Sequence, residues 1–145
     1  MNTPLIRPFH PGESLALRAL FHDSVHRLGV AHYTAEQLDA WAPAQFDAQA
    51  WSERIRHNRP FVAADETGTL LGYADLQPDG HIDQFFIAAD AARRGVGTAL
   101  LAFLEARARQ LAIVGLSTDV SLCAEAFFRQ AGFRSSNGTC RSLAG

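Results

Sequence analysis

The sequence contains no lysine, so its 13 basic side chains are all arginine. Set against 15 acidic residues they leave a formal charge of −2, with no broad positive field for a nucleic acid or an anionic membrane surface. Only two cysteines occur, Cys123 and Cys140, and they form no CxxC pair. That excludes a disulfide framework and reads as two reduced thiols in a cytoplasmic protein. No apolar run approaches the roughly 20 residues of a membrane span. The opening stretch, MNTPLIRPFHPGES, lacks the apolar core of a signal peptide. Repeats, low-complexity tracts and interdomain linkers are missing too. The expectation is one cytoplasmic domain over residues 1–145, with no nucleic-acid partner and no membrane.

What is present is an ordinary globular balance of 48% hydrophobic and 19% charged residues. Leu5 to Phe9 reads as a short strand, cut off by Pro8 and Pro11-Gly12. From Glu13 to Leu28 the apolar residues Leu17, Leu20, Phe21, Val25 and Leu28 follow the spacing of one helix face, and Gly29 ends it. Thr34, with Gln37 three residues on, has the form of a capping box for a second helix reaching Trp41. A third helical stretch covers Phe46 to His57. Three strands follow at 61–64, 69–74 and 81–87. Leu101, Leu104, Ala108 and Leu111 then mark the clearest helix. Ile113 to Ser117 reads as a buried strand and Leu122 to Ala131 as a last helix stopped by Gly132. One more strand fits after Phe133. An antiparallel meander followed by a βαβ unit predicts an α/β chain with a central mixed sheet and helices on both faces.

The strongest signal lies where the third of those strands meets the clearest helix. Ile82-Asp83-Gln84-Phe85-Phe86-Ile87 leads into Ala92-Arg93-Arg94-Gly95-Val96-Gly97-Thr98-Ala99. Glycines at 95 and 97 let backbone approach a ligand. The first-turn N–H groups of a helix have no partners within it, and its dipole adds positive character. Together they make an anion site suited to a phosphate or pyrophosphate, with Arg93 and Arg94 at the rim. There is no Gly-Lys-Ser/Thr, so this is not a P-loop. Leu100 stands where the dinucleotide fingerprint needs its third glycine.

On these residues the chain resembles the GNAT superfamily of acetyl-CoA-dependent N-acetyltransferases. The match runs from about Leu5 to Phe133, with its core at Ile82–Ala99 and a second block at Ser117–Phe133. The resemblance implies acetyl-CoA as cosubstrate, no metal, and an acyl transfer to an amine. It implies that Arg93, Arg94, Gly95, Val96, Gly97 and Thr98 hold the pyrophosphate. It also implies that Phe85, Phe86 and Ile87 pair their strand edge with the pantetheine arm, where the strands at 81–87 and 113–118 splay apart. Ala92 departs from the family signature, which has Gln or Arg there. Phe128 takes the place of a frequent Tyr that donates a proton to the leaving thiolate, and Phe has none to give. The proton is then left to water, Ser117 or Thr118.

For the general base the candidates are His81 and Asp83, which with Phe85 share one strand face by the two-residue period. An ordinary polar or ion-pair role is the plainer reading of Asp83. The acceptor amine is expected from the N-terminal helical region, with Tyr33 and Trp41 as walls. His22 and His26, four apart and beside Asp23, have metal-ligand spacing, although a solvated helix face explains them more simply. The stretch from Arg134 to Gly145 is rich in Ser and Gly, so one strand is expected there and a second is not. An edge left open that way would be covered by a second copy of the chain, making a homodimer, or by water. Three readings remain open. The first is an N-acetyltransferase acting on a small-molecule amine. The second is a protein lysine or N-terminal acetyltransferase. The third is an acyl-CoA-binding module with weak or no turnover, for which Ala92 and Phe128 speak.

Overall fold

The computed structural model describes residues 3–136 and 138–143, without the side chains of Leu122, Cys123 and Leu143. Cys123 was singled out in the sequence only as a thiol, and its side chain lies outside the described part. The elements run β1 (Leu5–Pro8), α1 (Ser14–Gly29), α2 (Ala35–Trp41), α3 (Ala48–Asn58), β2 (Phe61–Ala64), β3 (Leu70–Ala74), β4 (His81–Ile82), β5 (Phe85–Ile87), α4 (Val96–Gln110), β6 (Gly115–Asp119), α5 (Leu122–Gln130), β7 (Arg134–Ser136) and β8 (Thr139–Leu143).

Side chains within three residues set the starts of α2 and α3. Thr34 Oγ1 accepts from Gln37 N–H at 3.2 Å while Gln37 Oε1 accepts from Thr34 N–H at 2.8 Å, the reciprocal cap expected from the sequence. α3 begins two residues later than its apolar pattern implies. Asp47 caps it, its Oδ1 accepting from Gln49 and Ala50 N–H groups at 3.0 Å each.

β1, β2, β3 and β5 form an antiparallel sheet, and β4, β6, β8 and β7 form a second. Two cores lie on opposite faces. Val62 and Tyr73 pack with Leu17, Phe21, Trp51 and Ile55 of α1 and α3. Ala63 and Ala74 pack with Leu100, Leu104 and Phe128 of α4 and α5. The alternation of a strand thus feeds both layers. β4 and β6 run parallel, His81 opposite Ser117, with α4 as the crossover between them.

The strand expected at 81–87 is not continuous. It breaks at Asp83-Gln84, and its halves join different sheets. The cause is Asp75, a fully buried carboxylate just beyond β3. Its Oδ1 accepts from Asp83 N–H at 2.9 Å and its Oδ2 from Gln84 N–H at 2.7 Å. Successive N–H groups of a regular strand point opposite ways, so two converging on one carboxylate define a bulge. Gln77 Nε2 donates to the same Oδ1 at 2.9 Å. Burial pushes the Asp75 carboxyl up from its ordinary value, against the pull of Gln77 and the two backbone donors. Asp75→Asn places an NH₂ group where one of those N–H groups needs an acceptor. It is expected to lower unfolding stability by about 1–3 kcal/mol, read as a lowered denaturant midpoint with the slope retained.

The bulge also corrects the shared face of His81, Asp83 and Phe85. Asp83 points toward α3, whereas Phe85 packs on Phe127 and Phe128 of α5, with ring centroids 5.7 and 5.2 Å away. One extra residue at the break resets the alternation. The C-terminus departs from expectation as well, because two strands form after α5. β8 pairs with β6 over five residues, and β7 closes the sheet beside it. Ser- and Gly-rich sequence supports a strand here because β6 offers a free edge and Cys140 supplies the buried position. The outer strand β7 is short, exposed and reads Arg-Ser-Ser, an edge that discourages further pairing.

Candidate active site

The glycine turn stands where the sequence places it. Gly95 is the N-cap of α4 with φ +84, a left-handed conformation that favours glycine. A Cβ there would meet open space, whereas one on Gly97 would stand 3.3 Å from the Phe127 ring. Gly97 therefore lets α5 pack close against the turn. The first intrahelical bond of α4 is Ala99 N–H to Gly95 O, at 3.0 Å. The N–H groups of Val96, Gly97 and Thr98 precede it and have no acceptor within the helix. Arg93, Arg94, Gly95 and Thr98 are exposed, while Val96 is buried and anchors the turn. A pyrophosphate fits this arrangement through three converging donors, a helix dipole and two arginines at its rim.

The break in the strand supplies the second part. Gln84 O accepts from Asp75 N–H at 3.2 Å and Ala88 N–H donates to Leu71 O at 2.8 Å, so residues 84 and 88 face β3. Direction alternates along the ladder, and Phe86 faces β3 with them. Phe85 and Ile87 thus turn their N–H and C=O groups into the gap between β5 and β6. The three residues were expected to act together, and the structure divides them. Phe85 and Ile87 offer backbone. Phe86 sends its ring into the other core, 4.9 Å from Phe21 and 6.1 Å from Trp41.

The mouth of that gap is a recess of about 50 Å³ whose lining includes Asp83, Phe85, Thr118 and Phe128. It shares Trp41, Asp119, Val120 and Ser121 with a wider cleft of about 380 Å³, which Tyr33 and Gln37 of the α2 region complete. Tyr33 and Trp41 therefore stand as walls, their rings 5.8 Å apart and 68° to each other. Trp51 does not reach the site. It is buried, and its Nε1 donates to Ser14 O at 2.7 Å.

The two base candidates have different surroundings. His81 Nδ1 lies 3.0 Å from Ser117 Oγ, and its Nε2 lies 3.8 Å from Asp119 Oδ2. The three side chains share the outward face of paired parallel strands. Asp83 Oδ2 accepts from Asn58 Nδ2 at 2.7 Å and from the Arg54 guanidinium at 3.0 and 3.1 Å. Burial pushes the Asp83 carboxyl up, but the hydrogen bonds of Asn58 and Arg54 and nearby positive charge outweigh it and hold it below the ordinary carboxylate value. Thr118 Oγ1 donates to Ile82 O at 3.0 Å, and Phe128 is buried among Phe85, Phe127 and Phe133.

Asp75, Asp119, Arg54 and Asn58 were not singled out in the sequence. Asp75 alone carried a signal, as a carboxylate following directly on an apolar strand. His22 and His26 stack at 4.1 Å, and His26 Nε2 lies 2.8 Å from Ala42 O. Among the described residues no three His, Cys, Asp or Glu side chains converge as metal ligands. Nor is any described helix long and apolar enough to cross a membrane.

A strand splayed beside a glycine-capped helix is the arrangement that the sequence resemblance implies. The acetyltransferase (GNAT) domain family matches residues 30–142. The chain belongs to the GNAT acetyltransferase family. It is accordingly an acyltransferase of the N-acetyltransferase class. It is 31% identical over 134 residues to the uncharacterized N-acetyltransferase YafP of Escherichia coli, a match covering 92% of this chain and 83% of that one. A GCN5-related N-acetyltransferase from Rhodopseudomonas palustris superposes with a TM-score of 0.90 at 30% identity, covering 99% and 97% of the two chains. The PaiA N-acetyltransferase from Thermoplasma acidophilum, solved in complex with coenzyme A, shares the fold with a TM-score of 0.79 at 14% identity, covering 98% and 99%.

Proposed function

We propose that this GNAT chain moves an acetyl group from acetyl-CoA to the primary amine of a small molecule by direct attack. The observation that carries the reading is continuity. The Asp75-pinned break opens the edge of β5 beside the N-terminus of α4, so a phosphate site, a strand edge and an aromatic cleft lie along one path.

In this reading the N–H groups of Val96, Gly97 and Thr98, with Arg93 and Arg94, bind the pyrophosphate. The edge of Phe85 and Ile87 pairs with the pantetheine amides, and one of those N–H groups polarises the thioester carbonyl. The amine nitrogen attacks that carbonyl, the C–N bond forms, and the C–S bond breaks. His81 accepts the proton from nitrogen, held by Ser117 on one ring nitrogen and facing Asp119 with the other. The partners of Asp83 support a positioning role, since a carboxylate held by Arg54 and Asn58 is a weak base. With Phe128 lacking a hydroxyl and Thr118 donating to Ile82, water supplies the thiolate proton. The open cleft of about 380 Å³ beside Tyr33 and Trp41 gives a small amine room to reach the recess.

The test has two arms. Calorimetry with acetyl-CoA should give micromolar affinity, about −8 kcal/mol, and a panel of small amines should release free thiol from the bound donor. Binding without thiol release across the panel would overturn the small-amine reading and leave an acyl-CoA-binding module, which Phe128 favours, or a protein acceptor. No binding would sink all three.

A further inference from the structure

We infer that the acceptor is a primary amine carried as an ammonium on a flat apolar body and lacking a carboxylate of its own. The inference rests on the acetyltransferase reading and names the substrate class of that same site. Three observations meet in the cleft of about 380 Å³. Its size lies within the range of small-ligand pockets. Its side walls are Tyr33 and Trp41, two amphipathic rings in edge-to-face contact, with Val120 adding apolar surface. Its acidic group is Asp119, whose side chain is 78% exposed.

The charge balance of the cleft is one-sided. None of the chain's 13 arginines is among the lining residues of either the cleft or the recess. In the sheet, Arg141 stands opposite Ser117, two residues from the Thr139 that pairs with Asp119, but outside the lining of the cleft, and Arg54 is paired with Asp83. Asp119 Oδ1 accepts from Thr139 Oγ1 at 2.9 Å, which orients the carboxylate without neutralising it. An ammonium is attracted there and a carboxylate is repelled. An aromatic ring bearing the ammonium can stack on Tyr33 or Trp41, and the cation itself can face a ring.

The same carboxylate gives the reaction a direction. The acceptor arrives as R–NH₃⁺ opposite Asp119. The ammonium loses one proton to water, the nitrogen lone pair attacks, and the C–S electron pair leaves with sulfur. The second proton then passes to His81, whose Nε2 is 3.8 Å from Asp119 Oδ2, as the thiolate gains one from water. The product is a neutral amide, which Asp119 no longer attracts, so acetylation itself weakens the hold on product.

The test compares matched pairs at saturating acetyl-CoA: tryptamine with tryptophan, phenethylamine with phenylalanine, and both amines with butylamine. Thiol release gives kcat/KM. Tryptamine and phenethylamine are expected to exceed their amino acids and butylamine by about tenfold or more, a factor corresponding to about 1.4 kcal/mol. Asp119→Asn should raise KM for the two amines about tenfold and narrow the gap to the amino acids. Calorimetry of tryptamine and tryptophan against the coenzyme A-loaded protein supplies the same comparison without turnover. Equal or better use of the amino acids, or a preference for butylamine, overturns the inference and leaves the acetyltransferase reading intact. Acetyl-CoA binding with no aromatic amine bound or turned over does the same. Failure of acetyl-CoA itself to bind removes the reading and the inference together.

Discussion

Gly95→Glu is expected to abolish acetyl-CoA binding while leaving a folded protein. Two physical effects combine. The residue sits at φ +84, where any side chain costs about 1–2 kcal/mol. Its Cβ would project into open space, so no packing is displaced. A carboxylate at a helix N-terminus interacts favourably with the dipole, which offsets part of that strain. The same carboxylate occupies the donors of Val96, Gly97 and Thr98 and repels a pyrophosphate. A fall in affinity of at least about 100-fold, or about 2.7 kcal/mol, should appear by calorimetry beside an unchanged circular dichroism spectrum. Gly95→Ala separates the causes, because it carries the strain without the charge and should retain most of the binding. Affinity within threefold of wild type for Gly95→Glu would place the phosphate site elsewhere.

His81→Gln is expected to lower kcat by about 100- to 10,000-fold, the span usual for loss of a general base. The acetyl-CoA dissociation constant should stay within twofold, since His81 is not among the residues proposed to hold the donor. Gln can still hydrogen-bond Ser117 and fill the space, so the loss reports on proton transfer. Ser117→Ala, which removes only the 3.0 Å contact to Nδ1, should cost several-fold. A kcat for His81→Gln within a few-fold of wild type would move the base to another group. Asp83 offers the contrast. Its replacement leaves Arg54 and Asn58 without their acceptor and should act first on stability.

Much of the site was legible before any coordinates. The capping box at Thr34 and Gln37, the glycine turn at 95–97 and the βαβ order each depend on residues close in sequence, so local hydrogen bonding and φ preference reveal them. The gap between strands was legible through family resemblance alone. The second C-terminal strand was not, because its support is the edge of β6 and not the propensity of its own Ser, Thr and Arg residues. The third helix start was missed because Asp47 outweighed the apolar pattern around Phe46.

By itself the sequence determined the order of elements from β1 to α5, apart from the division of the strand at 81–87, the glycine turn at the start of α4 and the lack of a basic stretch. These follow from side-chain chemistry within a few residues and from composition. Only the tertiary structure decided how the strand at 81–87 divides. Asp75 reaches Asp83 and Gln84 across a turn, and that one buried carboxylate sends Asp83 to one face and Phe85 to the other. Likewise His81 meets Ser117 across 36 residues, and Asn58 meets Asp83 across 25. Such pairings depend on sheet register and helix placement, and no periodicity along the chain carries that information.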